Sequence, residues 1–179
     1  MATHLWKKWT YVAILGAFSF VLMLIAFPII PLVPYMKLDF SLVPILLTFI
    51  LYGRKMGYMT LGLKEILYLI IMGPSLSNII GVLSDFLATL LFAETFILSL
   101  KYSLTKYSQA IINATFLMTL GMTIANWILI IPLYMRFLGM KLTFPLSKII
   151  LFGVVPFNLI KGIIVGFIFK IVYLKVKNN

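Results

Sequence analysis

Hydrophobic residues run in long blocks along this chain, and most polar positions fall in the gaps between them. Four blocks, at about residues 9–27, 79–100, 110–135 and 147–173, approach or exceed the roughly 20 apolar residues that a helix needs to cross a bilayer. Two shorter blocks, 42–52 and 57–72, flank the turn Gly53-Arg54-Lys55 and read as brief or tilted helices. The pattern predicts an all-α polytopic protein, with residues 1–179 forming a single membrane domain of six transmembrane helices in one bundle. Lys7 and Lys8 ahead of the first block imitate a signal peptide. The block is too long for one, however, and passes into Pro28-Ile29-Ile30-Pro31 without a small-residue cleavage site, so a retained first helix is expected.

Composition removes several function classes. Of 179 residues, 63% are hydrophobic and 11% charged, with a mean hydropathy of +1.15, which leaves no room for a separate soluble domain. The formal charge of +11 is scattered among the apolar blocks, so no stretch can form a phosphate-binding surface. With no cysteine and the single histidine His4 near the amino terminus, neither a thiolate centre nor a histidine metal site can be assembled. A Gly-x-x-x-x-Gly-Lys-Ser/Thr motif is also missing, so nucleotide-driven work would have to come from another polypeptide.

The basic residues set the expected orientation. Lys7, Lys8, Arg54, Lys55, Lys101, Lys106, Lys170, Lys175 and Lys177 fall on the side of the termini. Lys37, Arg136, Lys141 and Lys148 fall opposite. By the positive-inside rule both termini are cytoplasmic, with Trp6, Trp9, Tyr102, Tyr107 and Tyr173 as interface anchors. On the outer side, residues 28–40 are apolar and stiffened by Pro28, Pro31 and Pro34, which reads as a lid packed on the bundle. No internal repeat of the kind found in many self-sufficient secondary transporters is visible.

Within the blocks, Lys161 stands three residues after Asn158 in an otherwise apolar run, so an amide and an ammonium share one helix face. A cation at such depth costs on the order of 2.5–3.5 kcal/mol, and something polar must meet it. Asn126, in Thr123-Ile124-Ala125-Asn126-Trp127, lies at a comparable depth, and Pro132-Leu133-Tyr134 closes the outer end of that helix. Facing one cavity, Asn126, Asn158 and Lys161 could bind a neutral polyhydroxyl or heteroaromatic ligand; alternatively, the asparagines bond between helices and Lys161 pairs with Asp85. Lys64 and Glu65 are adjacent and project differently, so each is expected to meet another helix or snorkel rather than pair locally. Glu94 reads as structural, and Asp39 and Asp85 lack the flanking motifs of an intramembrane protease. In the first helix, Ala13 and Ala17 are small residues four apart, a spacing that lets another backbone approach.

Taken together, Lys37-Leu38-Asp39-Phe40-Ser41, Thr123-Ile124-Ala125-Asn126, Ile131-Pro132-Leu133-Tyr134 and Gly153-Val154-Val155-Pro156-Phe157-Asn158-Leu159-Ile160-Lys161-Gly162 resemble the riboflavin-specific S components of energy-coupling factor (ECF) transporters. The likeness is collinear from the first helix to the last. It implies a monomeric six-helix subunit in a prokaryotic plasma membrane that binds riboflavin from outside, with a transmembrane coupling protein and two ATPase subunits as partners. It implies no cofactor and no catalysis. Lys37, Leu38, Asp39 and Phe40 would close over the vitamin, Asn126, Asn158 and Lys161 would hold it, and Ala13 and Ala17 would dock the coupling protein. Two places depart from the family pattern: Leu42 stands where an acidic residue often follows the serine, and Gly81-Val82-Leu83-Ser84-Asp85-Phe86 replaces the common Gly-Glu-Leu-Ala-Asn-Phe. An S component for thiamine or folate, an intramembrane enzyme and a lone secondary transporter are the competing readings.

Overall fold

The structure, a computed structural model, describes residues 2–102 and 107–178. Lys106, counted above among the terminal-side basic residues, lies outside them, as do the side chains of His4 and Tyr102. Among the described residues there are six helices: α1 (Ala2–Leu24), α2 (Leu42–Tyr52), α3 (Arg54–Met72), α4 (Leu76–Tyr102), α5 (Tyr107–Leu138) and α6 (Leu146–Asn178). Four of them, α1, α4, α5 and α6, are long and apolar enough to cross a membrane.

The helix ends differ from the sequence expectation for local reasons. α1 stops at Leu24 rather than continuing to residue 27, because Pro28 disfavours helical backbone just before it. Phe27–Pro28 (β1) instead pairs antiparallel with Lys37–Leu38 (β2), so the expected lid is a short ribbon with a loop at its tip. α3 begins at Arg54, not at residue 57. Gly53, with φ +91°, makes the whole break between α2 and α3, a backbone conformation that side-chain-bearing residues rarely adopt. Ser75 starts α4 by accepting the Asn78 N–H at 3.2 Å.

α2 is apolar around its whole circumference, and every residue from Leu42 to Phe49 is buried. At about 16 Å long it reaches only about half-way through a hydrocarbon core. Its Ile45 and Leu46 share the main core with Leu61 of α3, Phe92 and Phe96 of α4, Met118 and Met122 of α5, and Val165 and Phe169 of α6. Tyr173 belongs to that core and the partly buried Tyr107 packs against it, with ring centroids 5.3 Å apart and Tyr173 stacked on Phe169. Trp6 and Trp9 are exposed, as interface anchors would be. α1 has two distinct faces. Val12, Gly16, Ser19 and Phe20 turn inward, while Ala13 and Ala17 are exposed beside Ile14 and Phe18.

Both α5 and α6 contain one wide π-helical turn, at Asn126–Ile130 and Ile150–Val154, that the sequence pattern did not predict. Each is followed within two residues by a proline, Pro132 and Pro156. A proline ring clashes with the carbonyl four residues earlier, here Ile128 and Phe152, and widening the helix at those positions relieves the clash. Beside these turns a second core forms, in which the fully buried Val33 of the ribbon loop packs against Ile131, Ile149, Ile150 and Val154. Val33 fits because residue 153 has no side chain: a Cβ there would come within 2.6 Å of Val33 Cγ1.

Replacing Gly153 with Ala should therefore displace Val33 and lower stability by about 1–3 kcal/mol. Adding Val33→Ala should restore part of the loss, read as thermal unfolding of the purified protein in detergent.

Candidate functional site

Between the ribbon loop and helices α1 and α3–α6 lies a cavity of about 450 Å³. That volume falls in the usual range for small-molecule sites. Of the residues expected at a binding site, Lys37, Asp39, Asn126, Asn158 and Lys161 line it. Leu38 and Phe40 do not: Leu38 is buried opposite Phe27 in the ribbon, and Phe40 packs on the main core. The alternation of extended backbone explains the split, since residues two apart share a face and their neighbours point away. Tyr35 and Met36, from the turn just ahead of β2, also line the cavity.

The π-turn in α5 shapes one wall. Met122, Asn126, Ile130 and Tyr134 all line the cavity at four-residue intervals. On an unbroken helix Asn126 and Tyr134 would be about 80° apart, whereas one extra residue in the turn reduces this to about 20°. From α6, Phe157, Asn158 and Lys161 project together. The two asparagines do not bond to each other. Each donates its side-chain amide to the carbonyl four residues back, Asn126 to Met122 and Asn158 to Val154, both at 2.8 Å. Those bonds fix the amide orientation and leave each side-chain oxygen as an acceptor for a ligand.

Lys161 both lines the cavity and pairs with Asp85, so the two readings of it left open by the sequence coexist. Its Nζ lies 3.0 Å from Asp85 Oδ1 and 3.2 Å from Asp39 Oδ2. Asp39 Oδ1 accepts the Ser41 N–H at 2.8 Å, and the Ser41 carbonyl accepts the Ser19 hydroxyl from α1. The other Asp85 oxygen accepts from Lys64, which is completely buried. Lys64 Nζ is also 2.8 Å from Glu65 Oε1, so the adjacent residues do pair, contrary to expectation. The flexible four-carbon lysine stem swings the ammonium back across its own helix, which reasoning from Cβ directions alone overlooks. The contact is an ion pair without hydrogen-bond alignment, and neither Glu65 oxygen accepts a hydrogen bond. Glu94 is structural as expected, held by Arg54 at 3.0 Å and by the Tyr58 hydroxyl.

Several lining residues escaped sequence reasoning. Tyr68 and Met72 follow Lys64 at four-residue steps, and that spacing alone could have placed them. Tyr134 lines the cavity and packs against Tyr35 with ring centroids 5.9 Å apart. Asn78 gave no periodic signal. It lines the cavity while its amide closes the end of α3, donating to the carbonyls of Met72 at 3.1 Å and Gly73 at 2.9 Å. The Tyr35 hydroxyl is buried and has no hydrogen-bond partner within the protein. Burial, aided by Tyr134, pushes it from 10.0 up to about 12, so it remains a proton donor through neutral pH.

A membrane-embedded bundle enclosing a cavity with fixed acceptors, a lysine and an unpartnered hydroxyl defines a small-molecule-binding membrane protein. The comparisons with known proteins place it further. The chain belongs to the family described as ECF transporter, substrate-specific component, whose pattern matches residues 7–173. It is 34% identical to the riboflavin transporter FmnP of Bacillus subtilis, over 96% of this chain and 92% of that protein. It is 36% identical to the riboflavin transporter RibU of Staphylococcus aureus, over 96% of this chain and 91% of that one. A solved structure of the S component of a bacterial ECF transporter superposes with a TM-score of 0.80 at 34% identity, covering 96% of each chain. The family is a transporter component, which removes the intramembrane-enzyme reading.

Because the Tyr35 hydroxyl has no partner to lose, Tyr35→Phe should leave thermal stability near neutral pH almost unchanged. Its raised pKa stabilises the fold fully below about pH 10, and that contribution is lost as pH rises toward 12. Over that window the wild type should therefore lose more stability than the Phe variant, as followed by unfolding at stepped pH.

Proposed function

We propose that this chain is the riboflavin-capturing S component of an ECF transporter, binding the vitamin from the outside and relying on ATP-driven partner subunits to release it inward. The observation that carries the reading is the gathering of Asn126, Asn158 and Lys161 around one cavity beneath Lys37 and Asp39. Riboflavin has a flat ring system for packing between Tyr35, Tyr134, Met122 and Phe157. The acceptors and donors of its pyrimidine edge, with the hydroxyls of its ribityl chain, complement the two amide oxygens, the lysine and the Tyr35 hydroxyl. Leu38 and Phe40 serve this site by seating the ribbon on the bundle rather than by contact.

In this proposal residues 1–179 act as one domain and as a monomeric S subunit. The six helices form one membrane bundle, in which the short α2 is held inside the hydrocarbon core by α3 and the four longer helices, and both termini are cytoplasmic. The exposed face of α1 bearing Ala13 and Ala17 is where the coupling protein docks. Gly16, on the inward side, serves internal packing, since a Cβ there would fall 2.7 Å from Leu63 Cδ2.

The purified protein should carry or take up riboflavin and quench its fluorescence. A preparation that is colourless and fails to quench added riboflavin overturns the assignment. Lys161→Ala and Asn126→Ala should each weaken binding by about 1–3 kcal/mol in a quenching titration, the cost of leaving a buried hydrogen-bonding group unmet. Bulky replacements at Ala13 or Ala17 should leave that titration unchanged and reduce uptake by vesicles containing the full transporter. Loss of binding in those variants would point to damage to the fold instead.

A further inference from the structure

Lys64 is a completely buried cation, yet it does not reach the cavity, and none of the motifs that point to the ligand site contains it. It contacts Glu65 on its own helix and Asp85 on α4. Asp85 divides its carboxylate: one oxygen accepts from Lys64, the other lies 3.0 Å from Lys161. An ammonium has three N–H donors. For Lys161, one is directed at Asp85 and one at Asp39, which leaves one for the cavity that Lys161 lines.

We infer that Lys64 is a positioning residue for the ligand site: by holding one oxygen of Asp85, it limits that carboxylate to a single contact with Lys161 and keeps a lysine donor available to ligand. The physical reason is charge balance in a medium that solvates ions poorly. The cluster contains Asp39, Glu65 and Asp85 against Lys64 and Lys161. Without Lys64, three carboxylates face a single ammonium. Asp85 then turns both oxygens to Lys161 and draws it away from Asp39 and the cavity. Lys64 thus acts on the ligand only through Asp85.

The inference rests on the riboflavin reading, and a mutant cycle separates the two. Riboflavin quenching is titrated for the purified wild type, Lys64→Met, Asp85→Asn and the double variant, each checked for monodispersity. Lys64→Met should weaken binding at least tenfold. The double variant should bind at least fivefold tighter than Lys64→Met, because the carboxylate that captured Lys161 is gone. Glu65 loses its cation in both, so the difference between them belongs to Asp85. A residue that merely props the fold would give no such rescue. If Lys64→Met does not fold, Asp85→Asn and the double variant decide: removing Lys64 once Asp85 is neutral should change affinity less than threefold, and a further tenfold loss overturns the inference. Unchanged binding in Lys64→Met, or a double variant no tighter than the single, also overturns it. A wild type that binds no riboflavin removes the reading and the inference together, an outcome distinct from a binding wild type with an indifferent Lys64.

Discussion

Five charged side chains alternate in sign through the interior, Asp39, Lys161, Asp85, Lys64 and Glu65, and the placement of the loop, α3, α4 and α6 depends on that alternation. Each ion alone would be expensive where little water reaches, and removing one partner of a buried pair costs on the order of 3–5 kcal/mol. The members come from four different elements, and the Asp39–Lys161 contact joins positions 122 residues apart. A helix that slid or rotated by one residue would leave an ion without its partner. Apolar packing alone tolerates many nearly equal arrangements of six greasy helices; the ionic chain selects one. It also ties the ribbon loop to the bundle, because Asp39 meets Lys161 through one oxygen and fixes the start of α2 through the other.

The two wide turns act on a different problem, how to make a continuous wall from helices that bear prolines. Pro132 and Pro156 would each disrupt a regular helix. Relieving the strain with one extra residue per turn changes which side chains share a face, so a series at four-residue intervals stays aligned along α5 instead of spiralling off the site. In α6 the equivalent turn faces the loop, where Gly153 admits Val33. The same local defect thus lines the cavity from one helix and anchors its cover on the other.

How much of this could be read from the chain follows from the kind of signal each part carries. The four long helices were legible because apolar length is a one-dimensional property. Lys161, Asn126 and Asn158 were legible because a polar group in hydrocarbon has few structural excuses. The ribbon was legible as a cover, but not the alternation that sends Lys37 and Asp39 to the cavity and Leu38 and Phe40 elsewhere, since three prolines and an apolar composition give no period. The Lys64–Glu65 pair was missed because Cβ direction says little about where a long flexible stem places its charge. Asn78 was hidden for the opposite reason: its contacts are set by where α3 ends in space, not by any repeat.

The distribution of donors and acceptors around the cavity has a consequence for recognition. The free acceptors, the side-chain oxygens of Asn126 and Asn158, sit on helices whose own backbone holds them in place. The unpartnered Tyr35 donor sits on the ribbon loop, and Lys161 lies between, tied to that loop through Asp39. A molecule able only to donate can use the asparagine oxygens but leaves the hydrogens of Lys161 and the Tyr35 hydroxyl without an acceptor; one able only to accept leaves the asparagine oxygens unmet. A ligand with both functions on a flat apolar body bridges loop and helices at once. Discrimination against look-alikes would then draw on the seam between loop and helices as much as on either wall.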